Sequence, residues 1–241
     1  MPTAELTRKS ALLANFQGVT GRIAAACARA GLAAGTVELL AVTKYAASED
    51  VKILIEAGLL KIAGENKVQD ARNKWLTGEL APFRASVKLH FIGHLQTNKA
   101  KAAVETFDWI DSIDSLKLAA EVNRHAEALG KTMPVLIQLK LNDAPTQSGV
   151  PLEAAGELLA ELRGLKNLIP CGYMGIAPAG AAPAELGAVF AAAKKIFDRD
   201  FPAASVNPGF RTYLSLGMSG DFELAVAAGS NLPRIGSSLF A

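Results

Sequence analysis

"SLGMSGD", Ser215 to Asp221, and "RIGSS", Arg234 to Ser238, decide the reading of the fold. Each is a glycine-bearing segment that follows an apolar, β-prone run near the end of a chain of 241 residues. In a (β/α)8 barrel the loops after the seventh and eighth strands commonly bind a phosphate. Six earlier β-prone runs alternate with helical patterns, the arrangement of a parallel sheet with helical crossovers. They end at Lys44 ("VELLAVTK"), Asn66 ("KIAGEN"), Leu95 ("KLHFIGHL"), Asp114 ("DWIDSID"), Asn142 ("MPVLIQLKLN") and Ala177 ("LIPCGYMGIA"). "RTYLSLGM" and "NLPRIGS", ending at Met218 and Ser237, complete eight. Pro170 and Pro233 weaken two of these runs as central strands, because proline donates nothing to a ladder.

The expected architecture is α/β, a single (β/α)8 TIM barrel over residues 37–241 with an N-terminal helical segment over 1–36. Residues 4 to 30 read as one long helix, expected to cover the junction of strands eight and one, since only four residues follow Ser237. Ser48 and Ser115 are expected to open helices that close at Gly58 and Gly130. The helix after Pro151 is expected to close at Gly164, and Asp221 to open one that closes at Gly229. The loosest stretch is "APAGAAPAE", Ala177 to Glu185.

Half of the residues are apolar, a fifth are charged, and the formal net charge is +2, which matches a soluble enzyme-like protein. So small a charge, with Lys and Arg scattered, gives no reason to expect a nucleic-acid partner. Cys27 and Cys171 form no CxxC pair and read as small buried side chains in a reducing compartment. No basic-then-apolar leader and no membrane-length run is present, so a cytoplasmic location is expected.

Lys44 ends the first strand, which places its amine at the C-terminal mouth of the barrel, where barrel active sites lie. A low-polarity wall there would yield the neutral amine that attacks an aldehyde; a solvated strand-end lysine is the plain alternative. Ser219 and Gly220, with Gly236 and Ser237, offer backbone N–H groups, hydroxyls and close approach to an anion, or else form two ordinary turns. Arg234 shares a strand side with Leu232 and Gly236 and points inward. Its partner is then a cofactor ring nitrogen or an inward carboxylate. An arginine facing a pyridine nitrogen keeps that nitrogen unprotonated and the cofactor a weak electron sink. His90 and His94 alternate along the third strand without a carboxylate or cysteine at ligand spacing, so no metal pair is expected. His94 and Asn66, at strand ends, are candidates to line the pocket. Asp111 and Asp114 do not share a strand face and read as turn or capping residues.

"AVTKYA", "GENKVQDA", "HFIGHLQTNKAK", "FDWIDSIDS", "PVLIQLKLN", "SGV", "LSLGMSGDFELAVAAGS" and "RIGSSLF" resemble, in this order, the pyridoxal phosphate homeostasis proteins of the YggS type. The resemblance runs from about Leu39 to Phe240, and that family is similar to the N-terminal barrel of alanine racemase, a fold-type III pyridoxal phosphate protein. It implies that pyridoxal 5'-phosphate is held as a Schiff base on Lys44. It also implies that Ser219, Gly220, Gly236 and Ser237 hold the phosphate, that Arg234 faces the pyridine nitrogen, and that Asn66 and His94 stand near the ring. The chain departs from the family pattern at Thr43, usually serine, at Tyr45 and Ala46, usually threonine and lysine, at Gln147, where lysine is frequent, and at Ser237, usually threonine.

The resemblance implies a protein that buffers or delivers the cofactor and supports vitamin B6 and amino-acid balance with little or no turnover. Apo forms of pyridoxal phosphate enzymes are the expected recipients. The chain stops at Ala241, before the C-terminal domain that gives alanine racemases their second base, and a monomer is expected. The rival is a racemase or lyase using the same cofactor with Tyr45, Tyr173 or His94 as base. A class I aldolase barrel is disfavoured because the sixth strand carries no lysine.

Overall fold

The computed structural model describes residues 4–142, 147–202 and 209–241. Eight parallel strands follow one another around a nearly closed barrel in the order β7-β6-β5-β4-β3-β2-β1-β8. They are β1 (Leu40–Val42), β2 (Ile62–Glu65), β3 (Lys88–Phe91), β4 (Trp109–Ile113), β5 (Met133–Leu139), β6 (Leu168–Gly175), β7 (Tyr213–Ser215) and β8 (Arg234–Ile235). Every expected run contains its strand. Where β7 and β8 meet no ladder forms among the described residues; the Asn231 N–H donates to the Leu214 carbonyl at 3.1 Å and the Arg234 N–H to the Gly217 carbonyl at 2.9 Å. Pro170 is accommodated because the β5–β6 register shifts immediately after the Val135–Pro170 pair. Pro233 precedes β8, and its carbonyl accepts from the Leu40 N–H.

The helices are α1 (Ala4–Arg29), α2 (Ser48–Glu56), α3 (Val68–Trp75), α4 (Ala100–Thr106), α5 (Leu116–Ala128), α6 (Ala155–Arg163), α7 (Pro183–Asp200), α8 (Phe222–Ala227) and α9 (Ser237–Phe240). Helix α1 buries Leu12, Phe16, Val19, Ile23 and Ala26, a stripe at helical spacing. It packs on α8, α9 and α2, at the junction of β8 and β1. Arg8 fastens its start, donating to both carboxylate oxygens of Asp50 (3.1 and 2.7 Å) and to the Phe240 carbonyl (2.7 Å).

Ser115 caps α5 as expected, accepting from the Leu118 N–H, and Gly58 and Gly130 end their helices with φ of +71° and +60°. Ser48 does not cap: the N-cap is Ala47, and Ser48 is the first helical residue. Gly164 is a C-cap, but a right-handed one with φ of −78°. Asp221 precedes α8, yet its carboxylate accepts from the Met218 N–H instead of a helix N–H (2.6 Å).

Two apolar clusters fill the molecule. The larger lies between sheet and helices; the smaller, with Leu40, Ile62, Trp109, Leu136, Met174, Tyr213 and Leu232, fills the barrel. Each large side chain so buried contributes about 1.5–3 kcal/mol. His90 and Asp111 lie within the barrel too, fully buried, with His90 Nδ1 at 3.0 and 2.9 Å from the two Asp111 oxygens and its ring stacked on Trp109. Asp111 is therefore an interior strand residue, not a turn or cap. A register shift between Ile110 and Ile113 breaks the period-two count that had set it aside.

Candidate active-site mouth

The chain leaves β1 through Thr43, whose N–H donates to the Gly64 carbonyl at 3.0 Å, and then turns, the Ala46 N–H donating back to the Thr43 carbonyl at 3.0 Å. Lys44 and Tyr45 sit on that turn. Lys44 is exposed, with Nζ 5.0 Å from the centre of the Tyr45 ring, so the expected low-polarity wall around it is not what the structure shows. The Thr43 hydroxyl points away from the mouth and donates to Glu65 Oε1 at 2.7 Å.

Across the β7 and β8 loops, Gly217 adopts a φ of +90°, and a Cβ there would lie 2.7 Å from that of Ala225. Only glycine fits this approach of the loop to α8. The Ser219 hydroxyl accepts from the Ser238 N–H at 3.4 Å and ties the two loops together. The Ser219 and Gly220 N–H groups have no partner among the described residues. Gly220 and Ser237 are exposed, so donors here face solvent. Ser238, which sequence reasoning passed over, closes this cradle; it was the unremarked second serine of a Ser-Ser pair.

Arg234 is 4% exposed and points into the barrel as expected. Among the described residues no carboxylate holds it: the guanidinium donates to the Ser215 carbonyl (2.6 Å), the Ser215 hydroxyl (2.9 Å) and the Gly175 carbonyl (2.8 Å). Burial pulls its pKa down to about 10, against the nearby charges of Asp111 and Asp221, so it stays cationic at neutral pH.

A cleft of about 430 Å³ opens at this mouth and gathers Lys44, Asn66, His94 and Arg234 on its wall, with Met218 beside them. Ser219, Gly220, Gly236 and Ser237 stand outside that wall, on the loops adjoining Met218 and Arg234. Nδ1 of His94 lies 2.8 Å from the Ser148 hydroxyl and 3.6 Å from Asp114, which faces the mouth. His90 and His94 do not face a common side, one being interior and the other exposed. Gln147 also lines the cleft, its amide donating to the Ile176 carbonyl at 2.7 Å; Thr146, its neighbour, lies outside the described residues. Tyr173 faces the helical layer, donates to Asp200 at 2.6 Å, and is pushed up in pKa by burial, so it is no base for this cleft. Cys27 and Cys171 are free and buried.

A hollow of similar size, about 450 Å³, lies under α1 between Phe16, Ile23, Leu39 and Ile62, but it lacks a convergent set of polar groups. The mouth has one: an exposed primary amine suits an aldehyde, and loop N–H groups and hydroxyls beside a buried guanidinium suit a phosphate ester. Among the described residues no three His, Cys, Asp or Glu side chains could hold a metal ion.

Such a barrel, with a strand-end lysine and paired glycine-serine loops, defines a structural class. The chain belongs to the family of the alanine racemase N-terminal domain, whose model matches residues 20–241. Within it the chain is similar to proteins named pyridoxal phosphate homeostasis protein. The one from Synechocystis sp. is 38% identical over 205 residues, covering 85% of this chain and 91% of the relative. The one from Escherichia coli K12 is 34% identical over 230 residues, 94% of each. Among solved structures, PipY of Synechococcus elongatus with PLP bound superposes with a TM-score of 0.75 at 35% identity, over 91% of this chain and all of PipY.

Proposed function

We propose that this chain binds pyridoxal 5'-phosphate at the barrel mouth and serves in cofactor and amino-acid homeostasis, with little or no turnover of its own. The observation that carries this is the gathering of Lys44 and Arg234 on one cleft, next to two loops joined through Ser219 and Ser238. Family membership and the PLP-bound relative point the same way. Ser219, Gly220, Gly236 and Ser237 hold the phosphate, Asn66 and His94 flank the ring, and Arg234 faces its nitrogen. Lys44 would hold the cofactor by its Nζ amine, to which pyridoxal 5'-phosphate would supply an aldehyde for a Schiff base, with water as the other product. Arg234, already donating to three protein oxygens, gives up no proton to a ring nitrogen at neutral pH. Residues 37–241 act as one barrel domain carrying the 1–36 segment, in a cytoplasmic monomer that passes the cofactor to apo enzymes. The described residues include no helix long and apolar enough to cross a membrane.

A racemase or lyase reading keeps Tyr45, 87% exposed, and His94 as bases at the mouth. Titration with pyridoxal 5'-phosphate decides. A visible absorption band in the wild type that Lys44→Ala lacks, with no turnover of free amino acids, is expected. No band in the wild type overturns the reading, and Lys44-dependent turnover transfers it to the enzyme.

A further inference from the structure

Among the described residues the Lys44 side chain has no hydrogen-bond partner, and it touches only the exposed Tyr45 ring. A four-carbon stem with so little contact can be aimed only through the backbone that bears it. That backbone is gripped from beneath. Lys74 of α3 reaches under the turn and donates to the Thr43 carbonyl at 2.7 Å and to the Ala46 carbonyl at 2.8 Å. The first of these carbonyls belongs to the peptide bond leading into Lys44. The ammonium lies 3.7 Å from Glu65 Oε1, its side chain only 15% exposed. Glu65, at 1% exposure, also accepts from the Thr43 hydroxyl at 2.7 Å and from the Trp75 indole N–H at 3.2 Å. A buried carboxylate needs such partners, and here each of them comes from the turn itself or from α3. The turn, the end of β2 and α3 are thereby one hydrogen-bonded unit.

We propose that Lys74, held by Glu65, is a positioning residue that fixes the Thr43–Ala46 turn so that the Lys44 amine meets the aldehyde in the cleft. The proposal rests on the reading of Lys44 as the anchor. It predicts a loss confined to ligands that bond to Lys44, because Lys74 touches the turn and not the phosphate loops.

Binding of two ligands tests it in the wild type, Lys44→Ala, Lys74→Met and Lys74→Arg. One is pyridoxal 5'-phosphate; the other, pyridoxine 5'-phosphate, has an alcohol in place of the aldehyde and cannot bond to the amine. Lys74→Met is expected to weaken the aldehyde at least tenfold while leaving the alcohol within twofold, and Lys74→Arg to recover part of the loss. Should Lys74→Met not fold, Glu65→Gln, which keeps the shape and removes the counter-charge, is expected to show the same selective loss. Equal losses for both ligands, or no loss for the aldehyde, overturn the proposal. If Lys44→Ala binds both ligands as the wild type does, the anchor reading fails instead. Amide exchange still decides the clamp: in Lys74→Met the Ala46 N–H is expected to exchange at least tenfold faster, and unchanged protection overturns it.

Discussion

The rim that carries Lys44 is locked by the buried Glu65, Lys74 and Trp75, whereas the rim formed by Gly217–Asp221 and Gly236–Ser238 is held close to solvent by its own Ser219 and Asp221 side chains and the positive φ of Gly217. The first must direct one flexible amine, and buried side chains from another element do that. The second must offer several N–H groups to an anion, and two short loops shaped by glycine and joined to each other do so. One mouth thus solves positioning with buried side chains from another element and anion binding with the rim loops' own residues.

Glu65→Ala is the severest way to break this contrast. It leaves the Lys74 ammonium half-buried without its counter-charge, and we expect a loss of about 3–5 kcal/mol, read from urea unfolding. Gly217→Ala attacks the other rim through a positive φ and a Cβ 2.7 Å from Ala225, for about 1–3 kcal/mol and a weakened grip on pyridoxine 5'-phosphate. Ser219→Ala sharpens the comparison, since its bond to Ser238 is long: stability should move by less than about 0.5 kcal/mol, while affinity for pyridoxine 5'-phosphate falls about fivefold.

The smallest effect is a pH dependence confined to the locked rim. Burial lowers the pKa of Lys74 below its usual 10.5, so between the folded and unfolded values the unfolded chain binds more protons and stability rises with pH. The wild type is therefore expected to gain on Lys74→Met as the pH climbs toward 10.5. A widening gap in urea midpoints is what burial of the Lys74 ammonium predicts, and a narrowing one contradicts that burial.

The same division governed what could be read from the sequence. Strands and cradle loops are contiguous, and the alternation of β-prone runs with helices was enough to place all eight strands. The clamp joins residues 22 and 31 positions apart, and Lys74 on a helix looks like any solvated cation until the fold brings it under the turn. Glu65 stood inside the quoted "GEN", but only its neighbour Asn66 drew notice, because a strand-end polar residue is legible and one buried against a helix is not. Asp111 was misread for a related reason: strand β4 is irregular, and spacing rules fail where the register shifts.

Peptide mapping of the protein reduced with borohydride in the presence of pyridoxal 5'-phosphate tests the central claim most directly. The account predicts one pyridoxyl adduct, on Lys44, among the chain's lysines. An adduct on another lysine, or one spread over many, would contradict it.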